Sequence, residues 1–305
     1  MVIVAVALVF AGCAAAGADA PTENPGSQDC TDQEGPCAQT GVLTPDLATK
    51  LEAGVSAAAT SLPARYPFWV LQMNLCNSGF AGCYDGGKSV PEAVAAIQNS
   101  APDVVTLNEI CDGDLAQLGN ALADVYSGST VVWAFQAAQD RRSNAAYKCK
   151  NGQNYGIGLI AHVPGTYAGH RVFGGIYARQ DTASAEERAW LCIHATGSFY
   201  ACTTHLASTS GAVALDQCKD LMNNVIPAMR SGEGGDAPTV IGGDLNMKYR
   251  GSPNAQSCVP PGYFRKGDGD VQHIMATSDF AFSSSRTIGM SHTDHDGWFV
   301  ALTAP

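Results

Sequence analysis

The chain has 305 residues, 46% of them hydrophobic and 15% charged, with a formal net charge of −11. That length and apolar content predict a large folded domain with a sizeable core and exclude an extended disordered chain. The acidic balance excludes a nucleic-acid binder that relies on a generally basic surface, although a locally held cation could supply the missing positive charge.

At the amino end, "MVIVAVALVFAGC" is an apolar run that ends in small residues before Cys13 and is too short to span a bilayer. Residues 1–20 therefore read as an export segment. "FAGC" resembles a bacterial lipobox, which would make Cys13 the lipid-carrying first residue of the mature chain; cleavage after "AGA" or "ADA" would release a free protein instead. Either route predicts an exported protein, lipid-anchored at the cell surface with membrane contact through Cys13, or secreted. Residues 21–43 are rich in Pro, Gly, Gln and Thr and read as a flexible tether, leaving 44–305 as one folded unit.

Thr44 and Pro45 open a helix as N-cap and first-turn proline, with Leu47, Leu51 and Val55 as its buried stripe. "FWVLQMNL" is a strand, and "SVPEAVAAIQNS" is a helix with Ser89 and Glu92 at capping-box spacing. "DVVTLNEI" reads as a buried strand and "GDLAQLGNALADVY" as a helix with Leu115, Leu118 and Leu122 on one face. The chain then turns strand-rich through "STVVWAFQA", "YGIGLIAH", "HRVFGGIYA", "AWLCIHA" and "FYACTTHLA". A helix near 211–229 carries Val213, Leu221, Val225 and Met229, and "PTVIGGDLN", "DVQHIMAT" and "GWFVALT" are further strands. Two β-rich halves with a few covering helices is the economical architecture.

Of the eleven cysteines, ten follow Cys13, an even number that suits an oxidising compartment. Loop spacing pairs Cys30 with Cys37 and Cys76 with Cys83. Cys192 and Cys202 stand equidistant from Gly197, as a cross-strand pair in a hairpin would, which leaves Cys111 with Cys149 and Cys218 with Cys258. The lack of any Cys-x-x-Cys pair argues against zinc.

Chemically capable residues recur where apolar strands stop: Asn74, Glu109, His205, Asp244 with Asn246, and Asp294 with His295. On an extended chain, positions i and i+2 share a face. Asp244 and Asn246 would therefore aim at one point, with Gly242 and Gly243 permitting close approach. Singly, turn chemistry or hydrogen-bonded structure accounts for each residue. Together they are the parts of a metal-assisted hydrolase: carboxylates for a hard cation, histidines for protons, amides to orient a phosphate or water.

In order and spacing these residues resemble the endonuclease/exonuclease/phosphatase superfamily over about residues 68–303. This is the group of deoxyribonuclease I, AP endonucleases, neutral sphingomyelinases and inositol-polyphosphate phosphatases. "GGDLN" and "TDHD" are the specific elements; "LNEI" and "QMNL" persuade only in order. The resemblance implies an α/β fold, a four-layer sandwich of two mixed β-sheets packed face to face with helices outside. It also implies a Mg²⁺ site, with Mn²⁺ or Ca²⁺ as alternatives, served by Asn74, Glu109 and Asp294. By the same carry-over, Asp244 orients the attacking water and Asn246 holds a phosphate oxygen. His205 donates to the phosphate or leaving group, and His295 acts on the water or stabilises the charged phosphorane.

The sequence departs from the family pattern in places. Asn108 stands where the family has Gln, and Cys111 where nucleases often carry a basic residue. Gln272, beside His273, replaces the Asp that orients the second histidine, which leaves Asp270 as a candidate substitute. Arg141 and Arg142, with Lys148 and Lys150, form the densest basic run and are the expected grip on a polyanionic substrate. Arg188 in "EERAWL" is a further candidate phosphate contact. The expected function is a monomeric, Mg²⁺-dependent exported phosphodiesterase, a nuclease of low sequence specificity, with nucleic acid favoured over phospholipid. A sphingomyelinase-, phospholipase C-like or other phosphoester hydrolase is the alternative, and a catalytically inactive surface lipoprotein the remote one. No exposed aromatic hairpin supports a lipid substrate unless "GTYAGHRVFGGIY" forms one.

Overall fold

The computed structural model describes residues 38–43 and 65–305. The export segment, Cys13, the Cys30–Cys37 pair and the helix opened by Thr44 and Pro45 lie outside the described residues.

In chain order the first elements are β1 (Gln39–Leu43), β2 (Tyr66–Asn74), α1 (Ser89–Ser100), β3 (Val104–Cys111), α2 (Asp114–Val125) and β4 (Thr130–Ala137). The short β5 (Gln139–Asp140) and β6 (Ala145–Ala146) precede β7 (Tyr155–Val163), β8 (His170–Ile176), β9 (Glu186–Glu187), β10 (Ala189–Ala195) and β11 (Phe199–His205). Helix α3 (Gly211–Asp220) passes through a π-helical turn, Leu221–Val225, into α4 (Ile226–Gly232). The last strands are β12 (Thr239–Asp244), β13 (Tyr263–Gly267), β14 (Gln272–Thr277), β15 (Ala281–Ile288) and β16 (Gly297–Ala304).

One sheet has seven strands in the order β1-β4-β7-β3-β2-β16-β15, the other six in the order β13-β14-β12-β11-β10-β8. Both are mixed. Near the middle of each lies one parallel pair, β2 with β3 and β11 with β12, joined by α1 and by α3–α4 as parallel strands require. Period-2 alternation then decides what each face meets. Val70, Val104, Val240 and Ala276 fill the layer between the sheets. Leu71, Met73, Val105 and Leu107 face Ile97 of α1 and Leu118 of α2, while Tyr200 and Ile241 face Val213, Leu221 and Met229 of the other helical layer. The result is the expected four-layer sandwich. Among the described residues no helix is long and apolar enough to cross a membrane.

Several elements differ from the sequence reading. Gln39–Leu43, the end of the stretch read as a tether, pairs antiparallel with β4 as an edge strand. Strand β15, "AFSSSRTI", is exposed along nearly its whole length, so it has no buried face to impose alternation and gave no strand signal. The Ser89–Glu92 capping box does not form: the N-cap is Lys88, without a side-chain cap. The Glu92 carboxylate instead accepts the backbone N–H groups of Ser291 (2.6 Å) and His292 (3.0 Å), fastening the loop before Asp294 and His295. The disulfides Cys76–Cys83, Cys111–Cys149, Cys192–Cys202 and Cys218–Cys258 are all formed as spacing predicted.

Candidate active site

The layer between the sheets turns polar at one end. On β2 the inward series is Val70, Gln72, Asn74; on β3 it is Val104, Thr106, Asn108. On β12 it is Val240, Gly242, Asp244, and on the antiparallel β14, read backwards, Ala276, Ile274, Gln272. Gln72, Thr106, Asn108 and Gln272 are fully buried and satisfy one another. Gln72 Nε2 donates to Asn108 Oδ1 (2.6 Å) and Gln272 Oε1 (2.8 Å), and Gln72 Oε1 accepts from the Thr106 hydroxyl. Asn108 Oδ1 also accepts from Asp244 N (2.8 Å), and its Nδ2 donates to Thr204 O (3.0 Å). Where apolar contact ends, hydrogen bonds join the sheets, as buried amides require. Gln72 and Thr106 escaped the sequence reading, yet each stands two residues before a polar strand-end residue on the same face.

Gly242 permits this closeness between the sheets, and Gly243 the approach of β12 to its neighbour β11. A Cβ on Gly242 would lie 2.1 Å from Thr106 Oγ1, and one on Gly243 would lie 2.3 Å from the Thr204 carbonyl oxygen.

The carboxyl ends of both parallel pairs open on the same face, the usual ligand position in α/β sheets. Glu109 is aimed by the backbone. Between Leu107 and Ile110 the β3–β7 register slips by one residue, and Glu109 takes φ +56, a left-handed conformation rare outside glycine. Such a bulge re-aims a side chain. The Glu109 carboxylate is 20% exposed, and its Oε1 accepts from Asn74 Nδ2 at 3.0 Å. The same nitrogen donates to Asp244 Oδ2 at 3.1 Å, while Asn74 Oδ1 accepts from Cys76 N. One amide thus holds two carboxylates. Burial raises the pKa of both, against the hydrogen bonds they accept.

Asp244 is held by both oxygens. Oδ1 accepts from Asn246 N at 2.9 Å, and Oδ2 also from Gln272 Nε2 at 3.2 Å. Asn246 leaves the strand direction at φ +48, so the i, i+2 alternation stops at Asp244; its Nδ2 reaches Leu206 O at 2.9 Å. Around this pair stand the histidines. His205 Nε2 lies 3.9 Å from Glu109 Oε1 and 4.0 Å from Asp244 Oδ2. His295 Nε2 lies 3.7 Å from both Asp244 Oδ2 and Asp294 Oδ1. Asp294 is at the rim, 55% exposed. Its loop is tied to β2 by the Thr293 hydroxyl, which donates to Asn74 O at 2.9 Å.

The arginines of the expected basic grip are engaged within the protein. Arg141 donates to the carbonyls of Asp181 (3.2 Å), Thr182 (2.7 Å) and Ser184, so its guanidinium is spent on a loop. Arg142 is exposed and paired with Asp140 at 2.8 Å. Arg188 is buried behind His205, with Nη1 2.7 Å from both His205 Nδ1 and Glu186 Oε1. His295 likewise has neither expected partner. Gln272 serves Asp244, and Asp270 pairs with Lys248 at 2.7 Å. His273 is turned to Met247 O (2.7 Å) and Arg265 Nη1 (2.8 Å). Asn74 also differs from its expected role, since it presents nitrogen rather than oxygen to the carboxylates.

The donor set fits a hard divalent cation at Glu109. Its carboxylate and that of Asp244 crowd around one neutral amide, and burial disfavours the charge of each. Oxygen donors favour Mg²⁺, Mn²⁺ or Ca²⁺ over zinc. Among the described residues the one tight trio of His, Cys, Asp or Glu ligand atoms is Cys76, Cys83 and Asp294, and its sulfurs are joined in a disulfide.

The sequence pattern of the Endonuclease/Exonuclease/phosphatase family matches residues 73–295. No curated protein sequence matches the chain. An endonuclease/exonuclease/phosphatase family protein from Bacteroides thetaiotaomicron superposes with a TM-score of 0.54 at 13% identity, covering 79% of this chain and 99% of that one. D. rerio TDP2 complexed with single strand DNA product gives a TM-score of 0.53 at 14% identity, covering 77% and 98%. A mannosyl-6-phosphatase from Bacteroides thetaiotaomicron gives 0.53 at 13%, covering 77% and 99%. At these identities the likeness to solved structures is one of fold.

Proposed function

The chain belongs to the endonuclease/exonuclease/phosphatase family, hydrolases of phosphoester bonds, and from that premise we propose that it is an exported, divalent-metal-dependent phosphodiesterase that cleaves nucleic acid with little sequence preference. The observation that carries this reading is the Asn74 amide. It ties Glu109 to Asp244 while His205 and His295 both stand within 4.0 Å of Asp244 Oδ2.

In this reading Glu109 and Asp294 hold Mg²⁺, or Mn²⁺ or Ca²⁺ in its place, and Asn74 aligns the carboxylates. The cation supplies positive charge against the phosphate oxygens. Asp244, clamped on both oxygens and with its pKa raised by burial, takes the proton of the attacking water. Asn246 holds a phosphate oxygen. His205 donates through Nε2, and His295, 26% exposed, exchanges protons with water and the leaving group.

Nucleic acid is favoured by the rim beyond Asn246. There half-exposed Tyr249 has the guanidinium of Arg250 5.2 Å and that of Arg265 4.8 Å from its ring centroid. Aromatic and cationic groups side by side suit bases and phosphates, and phosphate contacts read no sequence. Disulfides among the described residues support export. A leader over residues 1–20, a lipid on Cys13 and a monomeric state complete the proposal. The lipid reading has one observation in its favour, Phe80, 65% exposed on the Cys76–Cys83 loop beside Asn74. The "GTYAGHRVFGGIY" stretch adds nothing to it, since Tyr167 donates or accepts at His170 Nδ1 (2.7 Å) instead of standing free.

Hydrolysis of DNA, RNA, sphingomyelin and bis-p-nitrophenyl phosphate, with Mg²⁺ and with EDTA, tests the proposal. Mg²⁺-dependent cleavage with nucleic acid ahead is expected. Faster cleavage of sphingomyelin overturns the substrate, and full activity in EDTA overturns the metal.

A further inference from the structure

We propose that Arg188 is a positioning residue that holds His205 in the tautomer protonated on Nε2, so that His205 meets the phosphate as a fixed hydrogen-bond donor. The inference rests on the phosphodiester reading above and deepens it by fixing what His205 can offer the phosphate.

The geometry behind His205 allows one assignment. A guanidinium has donors and no acceptor. Arg188 Nη1, 2.7 Å from His205 Nδ1, therefore donates, and Nδ1 offers its lone pair. The imidazole proton is then on Nε2, which faces Glu109 and Asp244. Nη1 carries two hydrogens, and the second goes to Glu186 Oε1 at 2.7 Å, while Nη2 reaches Ser208 Oγ at 3.3 Å. Arg188 is buried, and each of these partners lies behind the imidazole. Three of the five guanidinium N–H groups are thereby engaged within the protein.

The support continues outward. Arg188 N donates to Gln180 Oε1 (2.8 Å), and Gln180 Nε2 returns a bond to Arg188 O (2.9 Å). Arg141 closes the intervening loop by donating to the carbonyls of Asp181, Thr182 and Ser184. Two arginines that read as substrate contacts in the sequence are thus stacked as scaffolding behind one histidine.

A carboxylate in the place of Arg188 would accept from Nδ1–H and favour an imidazolium. The arginine does the reverse. At 3.9 and 4.0 Å from the two carboxylates, Nε2–H is beyond hydrogen-bond distance of either and is available to a substrate oxygen.

Nitrogen-15 and carbon-13 NMR of histidine-labelled full chain at pH 7.5, in EDTA and in Mg²⁺, tests the assignment without reference to turnover. A single Nε2–H tautomer for His205 in both conditions is expected. An Nδ1–H tautomer or an imidazolium overturns the proposal. Because removing one charge of a buried pair leaves the other uncompensated, the variant of choice is Arg188→Met with Glu186→Gln. It should show mixed His205 tautomers and a kcat on bis-p-nitrophenyl phosphate lower by about 10- to 100-fold, the usual effect of a lost supporting contact, with KM within about twofold. Arg188→Lys, which keeps a donor behind Nδ1, should retain the single tautomer. A large rise in KM with the tautomer unchanged would make Arg188 a substrate contact instead. If wild-type protein cleaves no phosphoester, the tautomer still decides Arg188's role, so the two readings fail separately.

Discussion

The carboxyl ends of the two parallel strand pairs bring their residues to one place by different means. At the end of β2 and β3 the chain is locked covalently, with Cys76 two residues beyond Asn74 and Cys111 two beyond Glu109, each in a disulfide. At the end of β11 and β12 the cystines lie away from the site: Cys192–Cys202 and Cys218–Cys258 are buried under the outer helices. There Arg188 donates to His205 and Gln272 to Asp244, while Asp244 N donates to Asn108 Oδ1. The first end can be loosened by a reductant, whereas the second can be loosened by a change of charge or polarity. The Asn74 amide joins them, so loss of either end should disable the same chemistry.

The largest expected effect tests that joint. Glu109→Gln and Asp244→Asn should each lower kcat by about a thousandfold or more, with the double variant little worse, as groups acting as a unit behave. Far-UV circular dichroism should be unchanged, because Asn74 Nδ2 can still donate to an amide oxygen. Full additivity of the two losses would break the idea of one shared site. Next come the glycines that let β12 lie close to its neighbours, Gly243 to β11 in its own sheet and Gly242 to β3 in the other. Gly243→Ala meets the Thr204 carbonyl oxygen and should cost about 3 kcal/mol or more in urea denaturation, beyond repair by a side-chain change. Gly242→Ala meets the Thr106 side chain, so adding Thr106→Ala should recover part of its loss. Equal rescue of both by Thr106→Ala would mean that the two contacts are not separate.

The same contrast explains what could be read from sequence. The strand ends at Asn74, Glu109, His205 and Asp244 were legible because an apolar run that stops on a polar residue is a local signal. The cystine pairs were legible because short loops and a symmetric hairpin limit the choices. The roles of Arg141 and Arg188 were not, because "DRRSNAAYK" and "EERAWL" read the same whether a guanidinium meets carbonyls, an imidazole or a phosphate. Glu92 stood at capping-box spacing, and the loop that it holds lies 199 residues away. Gln272 matched the position of a histidine partner but belongs to Asp244, since the choice depends on distances between sheets. Asn246 was expected to share a face with Asp244, and its positive φ breaks that alternation.

Acid should expose the non-covalent end. His273 is buried with Nδ1 accepting from Arg265 and Nε2 donating to Met247 O, next to the turn that carries Asn246. Burial is the main cause that lowers its pKa from 6.5 to about 4. The folded state therefore takes up this proton later than the unfolded state. The stability is fully present above about pH 6.5 and is lost as pH falls towards 4, at most about 3 kcal/mol. Urea midpoints between pH 7.5 and 4.5 should fall less in His273→Gln than in wild type. Parallel declines in the two proteins would remove His273 from the account.

Reduction should expose the covalent end with the smallest change in stability. Cys83 is partly accessible, whereas Cys192, Cys202 and Cys218 are fully buried, so a mild reductant should open Cys76–Cys83 first. A loop with a sequence separation of 7 removes little entropy from the unfolded chain, about 2.5 kcal/mol by the chain-entropy account, against about 4 for the separation of 40 in Cys218–Cys258. Its catalytic effect should exceed that figure's weight in folding, because Cys76 N is the donor that sets the Asn74 amide and so the spacing of Glu109 and Asp244. Cys76→Ala with Cys83→Ala should then lose turnover at temperatures where circular dichroism still reports a folded protein. Titration of wild type with reductant should show activity falling before unfolding. Coincident loss of the two would place the strength of this end in the hydrogen bonds after all and erase the difference between the halves.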